Sequence, residues 1–150
     1  MPADFDRSEV IKVSIMTSLS QPVNLSPLYV HMRQGGQSNK QLDFLSFVVD
    51  CVQSGWLVNG DVLVLDNARI HKAYPIVTPL HMLMQAAALW FLPTYSPELN
   101  PCEFVFAQSK WWLSYHRRMG MPFWYEVARG IAETSHAQMT NCYNKAIWNP

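Results

Sequence analysis

The chain has no paired cysteines. Cys51, Cys102 and Cys142 form an odd set without a Cys-x-x-Cys spacing, which excludes a disulfide framework and a cysteine-paired structural zinc site. Free thiols suit a reducing compartment, the cytosol or nucleus. No apolar run reaches membrane-spanning length, and no signal-peptide layout is present. The five histidines contain no His-Glu-x-x-His string, so metalloprotease chemistry of that type is excluded. His31, His81, His116 and His136 read as ordinary surface or core residues. A charge excess is also missing. Eleven Lys and Arg balance eleven Asp and Glu, so the chain lacks the electrostatic footprint of a strong nucleic-acid binder. No internal repeat and no low-complexity tract occurs.

What is present fits one α/β domain over residues 1–150. The chain is 49% hydrophobic, within the globular range, and long enough to bury a core. Residues 1–9 are polar and expected to be disordered. Val10, Val13, Ile15 and Leu19 predict a strand, Gln21-Pro22 a turn, and Leu28 to Met32 a second strand. Ser38 can cap a helix through Leu42, Leu45, Val48, Val49 and Val52 that stops at Gly55. Val62 to Leu65 is short, β-branched and continuously apolar, and reads as a strand buried on both faces. A helix is expected around Val77 to Ala87, and a short strand from Ala88 to Leu92. A further helix should run from Pro101 to about Arg118, ended by Met119-Gly120-Met121-Pro122. A last one is expected over residues 123–139, with Trp124, Val127 and Ile131 at helical spacing.

Two stretches carry chemistry. The Val62–Leu65 run delivers Asp66 to the carboxyl edge of a sheet, where α/β proteins build sites. Asn67, Ala68, Arg69, Ile70 and His71 follow. A turn-forming Asp competes with that reading. The second stretch, Leu92-Pro93-Thr94-Tyr95-Ser96-Pro97-Glu98-Leu99-Asn100-Pro101-Cys102-Glu103, predicts Asn100 as N-cap, Pro101 at the first helical position and Glu103 inside the first turn. A capping-box role competes for Glu103. Two carboxylates so placed suit a hard divalent cation, which prefers oxygen ligands.

These residues resemble the Tc1/mariner and IS630-like DDE transposases. Asp66-Asn67-Ala68-x-x-His71 and Leu-Pro-x-Tyr-Ser-Pro-x-Leu-Asn-Pro-x-Glu carry the resemblance, and the second string is the more specific. The distance from Asp66 to Glu103 is close to the family's usual spacing. The likeness extends over roughly residues 10–118, with the motifs concentrated in 61–118.

The resemblance implies an RNase H-like mixed sheet with flanking helices, Mg²⁺ or Mn²⁺, and cut-and-paste DNA transposition. Asp66 then matches the second catalytic Asp and Glu103 the final catalytic acid, both as metal ligands. Asn67 and His71 match signature positions that support the site. Cys102 stands where the family usually has an aliphatic residue, and Phe104-Val105-Phe106 replaces a pattern in which a Trp often follows. Arg69, Lys72, Lys110 and Arg117 are possible DNA contacts. Lys110 and Arg117, two helical turns apart, would share one helix face.

The first catalytic Asp should lie on a first, central strand upstream. Val10–Leu19 instead resembles the second strand and Leu28–Met32 the third. Asp4 and Asp6 sit in a polar stretch, Asp50 in a helix, and Asp61 at the start of the Asp66 strand. The chain thus reads as an N-terminally truncated catalytic domain, without the family's helix-turn-helix region. The expectation is a DDE-type transposase or endonuclease domain, inactive as this fragment. The implied partners are transposon-end DNA and a second subunit, with no membrane. The location is the nucleus in a eukaryote or the cytoplasm in a bacterium. The alternative is a non-catalytic remnant or a domesticated DNA-binding or protein-interaction domain.

Overall fold

Alternating side chains in two neighbouring strands build the first layer. The computed structural model describes residues 10–34, 40–66 and 89–148. Strand β1, Ile11–Thr17, pairs antiparallel with β2, Leu28–Gln34; Ile11 lies opposite Gln34 and Thr17 opposite Leu28. Val13 and Ile15 face the same way as their partners Met32 and Val30. That face packs on a cluster of Val105, Val127, Ile131, Met139 and Cys142. Met16 and its partner Tyr29 occupy the opposite face and pack with Phe47, Val48, Cys51 and Trp56. The hairpin is therefore covered by helices on both sides.

Helix α1, Gln41–Gln53, buries Phe47, Val48 and Cys51. Its N-cap is Lys40, with extended backbone, and not the expected Ser38, which lies outside the described residues. The Asp43 carboxylate closes the first turn by accepting the Lys40 N–H at 2.7 Å. The helix ends as expected at Gly55, whose φ of 75° is a left-handed conformation natural to glycine.

Strand β3, Leu63–Leu65, pairs in parallel with β4, Leu89–Phe91. The Leu92 N–H extends the ladder to the Leu65 carbonyl at 2.7 Å. The expected burial on both faces is not found. Leu63 and Leu65 are buried, but Val64 between them is 49% exposed. Only one face of β3 joins a core cluster among the described residues. The described architecture is thus mixed α/β, with four helices and two separate two-stranded sheets, β1-β2 and β3-β4. The expected helix around Val77–Ala87 and the polar segment 1–9 lie outside the described residues.

Helix α2, Pro101–His116, stops short of the expected Arg118. Arg117 already has extended backbone, with ψ of 128°. Its guanidinium lies 4.8 Å from the centroid of the Phe123 ring. Lys110 is in the helix and Arg117 is not, so the two do not share a helix face. The expected last helix is two. Helix α3 spans Phe123–Ala132 and helix α4 spans His136–Tyr143, followed by a π-helical turn, Asn144–Trp148. Ser135 makes the break by capping α4: its hydroxyl accepts the Gln138 N–H at 3.2 Å, and the Gln138 side chain accepts the Ser135 N–H at 2.8 Å. No helix among the described residues is long and apolar enough to cross a membrane.

Candidate active site

Asp66 is the residue immediately after β3, so the strand sets its position. Glu103 is set by a helix start. The Asn100 side chain accepts the Cys102 N–H at 3.1 Å, and Pro101 supplies the fixed φ of the first helical residue. The approach is stiff: Pro97–Leu99 forms a single 3-10 turn, and Tyr95 takes a φ of 57°. The Ser135 helix has a complete capping box, whereas α2 is capped by Asn100 alone. Glu103 thus projects from the first turn without a capping bond to Asn100.

Both carboxylates line one cavity of about 670 Å³. Its walls include β1, β3, Phe44 and Phe47 of α1, Trp56 and Leu57, the Leu99–Glu103 segment and Tyr143 of α4. The cavity is lined by both β1 and β3, which do not pair with each other among the described residues. Asp61 also lines it, but its carboxylate accepts the Val58 N–H at 3.0 Å and closes a turn.

A hydrogen-bond chain forms part of the cavity wall. The Tyr143 hydroxyl donates to the Thr17 carbonyl at 3.0 Å. Having one proton, it accepts from the Thr17 hydroxyl, also at 3.0 Å. The Thr17 oxygen in turn can accept the Cys102 thiol at 3.8 Å. Burial pushes the Cys102 thiol up to about 11; the Thr17 contact lowers it, and the charges of Glu103 and Asp66 raise it further. Both carboxylates therefore act on the same thiol. Burial likewise pushes the Tyr143 phenol up.

Of the residues expected at the site, Asp66 and Glu103 both line the cavity. Lys110 is exposed on α2, two turns beyond Glu103 and on the same side of the helix. Arg117 is turned to Phe123. Asn67, Arg69, His71 and Lys72 lie outside the described residues. No group of three or more His, Cys, Asp and Glu suited to a metal gathers among the described residues. Sequence reasoning missed Thr17 and Tyr143. Neither stands in a motif, and Tyr143 reaches the cavity only because Ser135 turns the chain back.

A family model described as DDE superfamily endonuclease matches residues 12–121. The match runs from β1 through α2 to the following turn. No curated protein matches the chain.

Proposed function

The chain belongs to the DDE superfamily endonucleases, and we propose from this membership that it is a catalytic domain of the Tc1/mariner and IS630 kind, for DNA strand cleavage and transfer. The observation carrying this reading is the shared cavity of Asp66 and Glu103. The element order supports an RNase H-like arrangement in a single domain: an antiparallel hairpin, a helix, a parallel strand pair, then the helix bearing the last acid.

The donor set at the cavity, two carboxylates on rigid elements, fits a hard divalent cation. Asp66 and Glu103 would hold Mg²⁺ or Mn²⁺, which when bound supplies water activation and stabilises the leaving 3′-oxygen. The protein's own part is positional. Strand β3 fixes Asp66, the Asn100 cap fixes Glu103, and Thr17 with Tyr143 ties β1 to the C-terminal helix beside them. Asn67 and His71 would support the turn after Asp66. Arg69, Lys72 and Lys110 would contact transposon-end DNA. A homodimer in the nucleus or bacterial cytoplasm completes the reading.

A second reading is a non-catalytic remnant or a domesticated interaction domain. It is favoured by the acids at the cavity: among the described residues, no third ligand joins Asp66 and Glu103. The two readings part on metal binding and cleavage. In the first, Mn²⁺ binds the wild type at least about tenfold more tightly than Asp66→Ala, since one of two ligands is lost. Equal Mn²⁺ affinity would sink the active-site reading. Plasmid nicking in Mg²⁺ should be slight for this chain alone. Robust nicking lost in Asp66→Asn would show that another acid completes the site and would remove the second reading.

A further inference from the structure

On the α1 side of the hairpin, Lys12 and Ser14 of β1 stand directly across from Arg33 and His31 of β2. Cross-strand partners share a face, so these four side chains converge. Asp43 and Ser46 of α1 complete a notch of about 50 Å³ around them. Such a space holds on the order of four water-sized groups, close to the four oxygens of a phosphate. The acid in the notch is already neutralised. Asp43 accepts the Lys40 N–H and pairs with Arg33 at 2.7 Å, and these contacts, in that order, hold its carboxyl below the ordinary value.

The other groups have no such partner. Among the described residues, no hydrogen bond or ion pair engages the Lys12 ammonium, the His31 imidazole or the Ser14 and Ser46 hydroxyls. The His31 ring is oriented by stacking on Phe47, with centroids 6.3 Å apart and planes 22° from parallel. A cation, an orientable imidazole and two hydroxyls around a small concavity match a tetrahedral oxyanion. Ser14 also lines the large cavity that holds Asp66 and Glu103.

We propose that the notch of Lys12, Ser14, His31 and Ser46 is a phosphate-group site. Its placement beside the large cavity makes the natural source a DNA backbone phosphodiester, a clause that rests on the nuclease reading above. Phosphate recognition itself does not. The test follows the His31 imidazole resonances of the full chain, without metal, during titration with inorganic phosphate and then with a short duplex oligonucleotide. Phosphate should shift His31 saturably. Lys12→Gln should weaken that binding about fivefold, as expected for one lost charged contact, with Ser46→Ala as a second, surface variant. Asp66→Asn should leave it unchanged. If the duplex displaces phosphate and Lys12→Gln lowers the salt slope of duplex binding by about one, DNA is the source. If only inorganic phosphate shifts His31, the site serves a small phosphate, and the nuclease reading is untouched. The proposal is overturned if His31 responds to neither probe, if Lys12→Gln and Ser46→Ala both titrate like the wild type, or if Asp66→Asn abolishes the response.

Discussion

Cys102 immediately precedes Glu103 and is chemically quiet, because burial and the charges of Glu103 and Asp66 keep its proton on. With the thiol pushed up to about 11 from an ordinary 9.0, only roughly one molecule in a thousand carries the thiolate at pH 8. Burial lifts Cys51 to about 12 and raises Cys142 as well. The native chain should therefore show almost no fast reaction with a disulfide reagent at pH 8, and three reactive thiols in denaturant. A single fast thiol in the native state would contradict the burial of these residues. The sign for stability also follows. A thiol whose folded value is raised favours folding while protonated, so stability should fall as pH rises above about 9. Glu126 behaves oppositely. Burial works to raise its carboxyl, but hydrogen bonds from the Arg118 N–H and from the Arg129 and Arg118 guanidiniums outweigh it, leaving it below 4.5. Its contribution is present above about pH 4.5 and is lost as pH falls through the lower folded value. Glu126→Gln should lower the urea midpoint at pH 7 and flatten the acid limb of the stability profile. Asp66 and Glu103 were legible in the sequence because each ends a local pattern, an apolar run or an Asn-Pro helix start. Glu126 was not, since its pairing needs the turn that brings Arg118 back over it, beside Arg129 one turn further along its own helix.

Elements with one strong local signal were readable: β1 and β2 from two apolar segments parted by the Gln21-Pro22 turn, α1 from helical spacing, and the start of α2 from Asn100-Pro101. Elements decided by competition between signals were not. The apolar spacing across residues 123–139 suggests one helix, yet Ser135 and Gln138 spell a capping box inside it, and the cap prevails. Ser135→Ala should cost about 1 kcal/mol, seen as a lower thermal midpoint. Loss of the β1 tie by Tyr143 should accompany it, read as an altered ring environment in near-ultraviolet circular dichroism. An unchanged midpoint would mean the break does not depend on the cap. The crossing of α2 and α3 rests on Gly130. A Cβ there would stand 3.1 Å from Trp112 Cε3 and 3.4 Å from the Ser109 carbonyl. The Trp112 ring is held by Arg129 on its face at 4.9 Å and by the stacked His116 ring at 5.0 Å, so it yields only at a cost. Gly130→Val, which adds bulk beyond the Cβ, should destabilise by about 1–3 kcal/mol. A variant as stable as the wild type would show the helices free to separate. No sequence pattern marks Gly130 as a crossing point, because the clash depends on the partner helix.

For the molecule as a whole, the decisive feature is the space between β1 and β3. Among the described residues β1 pairs only with β2, and β3 only with β4. The cavity between them reaches about 670 Å³. A strand residue within a layered sheet fills roughly 160 Å³, from its rise and the spacings between strands and sheets, so the cavity has the size of about four strand residues. The edges matter energetically. An unsatisfied buried backbone group costs about 1–3 kcal/mol, and a few would remove much of a typical stability of about 5–15 kcal/mol. Solvation of the cavity relieves part of that cost, and pairing with another strand relieves more. The chain should therefore self-associate through this edge, with sedimentation velocity showing oligomers at concentrations on the order of 100 μM. Val62 and Val64, 48% and 49% exposed, flank the edge. Lysine on an edge strand opposes strand addition, so the double substitution Val62→Lys, Val64→Lys should return the chain to monomer while preserving its helical circular dichroism. A monodisperse wild-type monomer with a high thermal midpoint would count against the open-edge account. So would association that persists unchanged in the lysine variant, because the contact would then lie elsewhere, for instance on the exposed Trp111 and Tyr115 of α2.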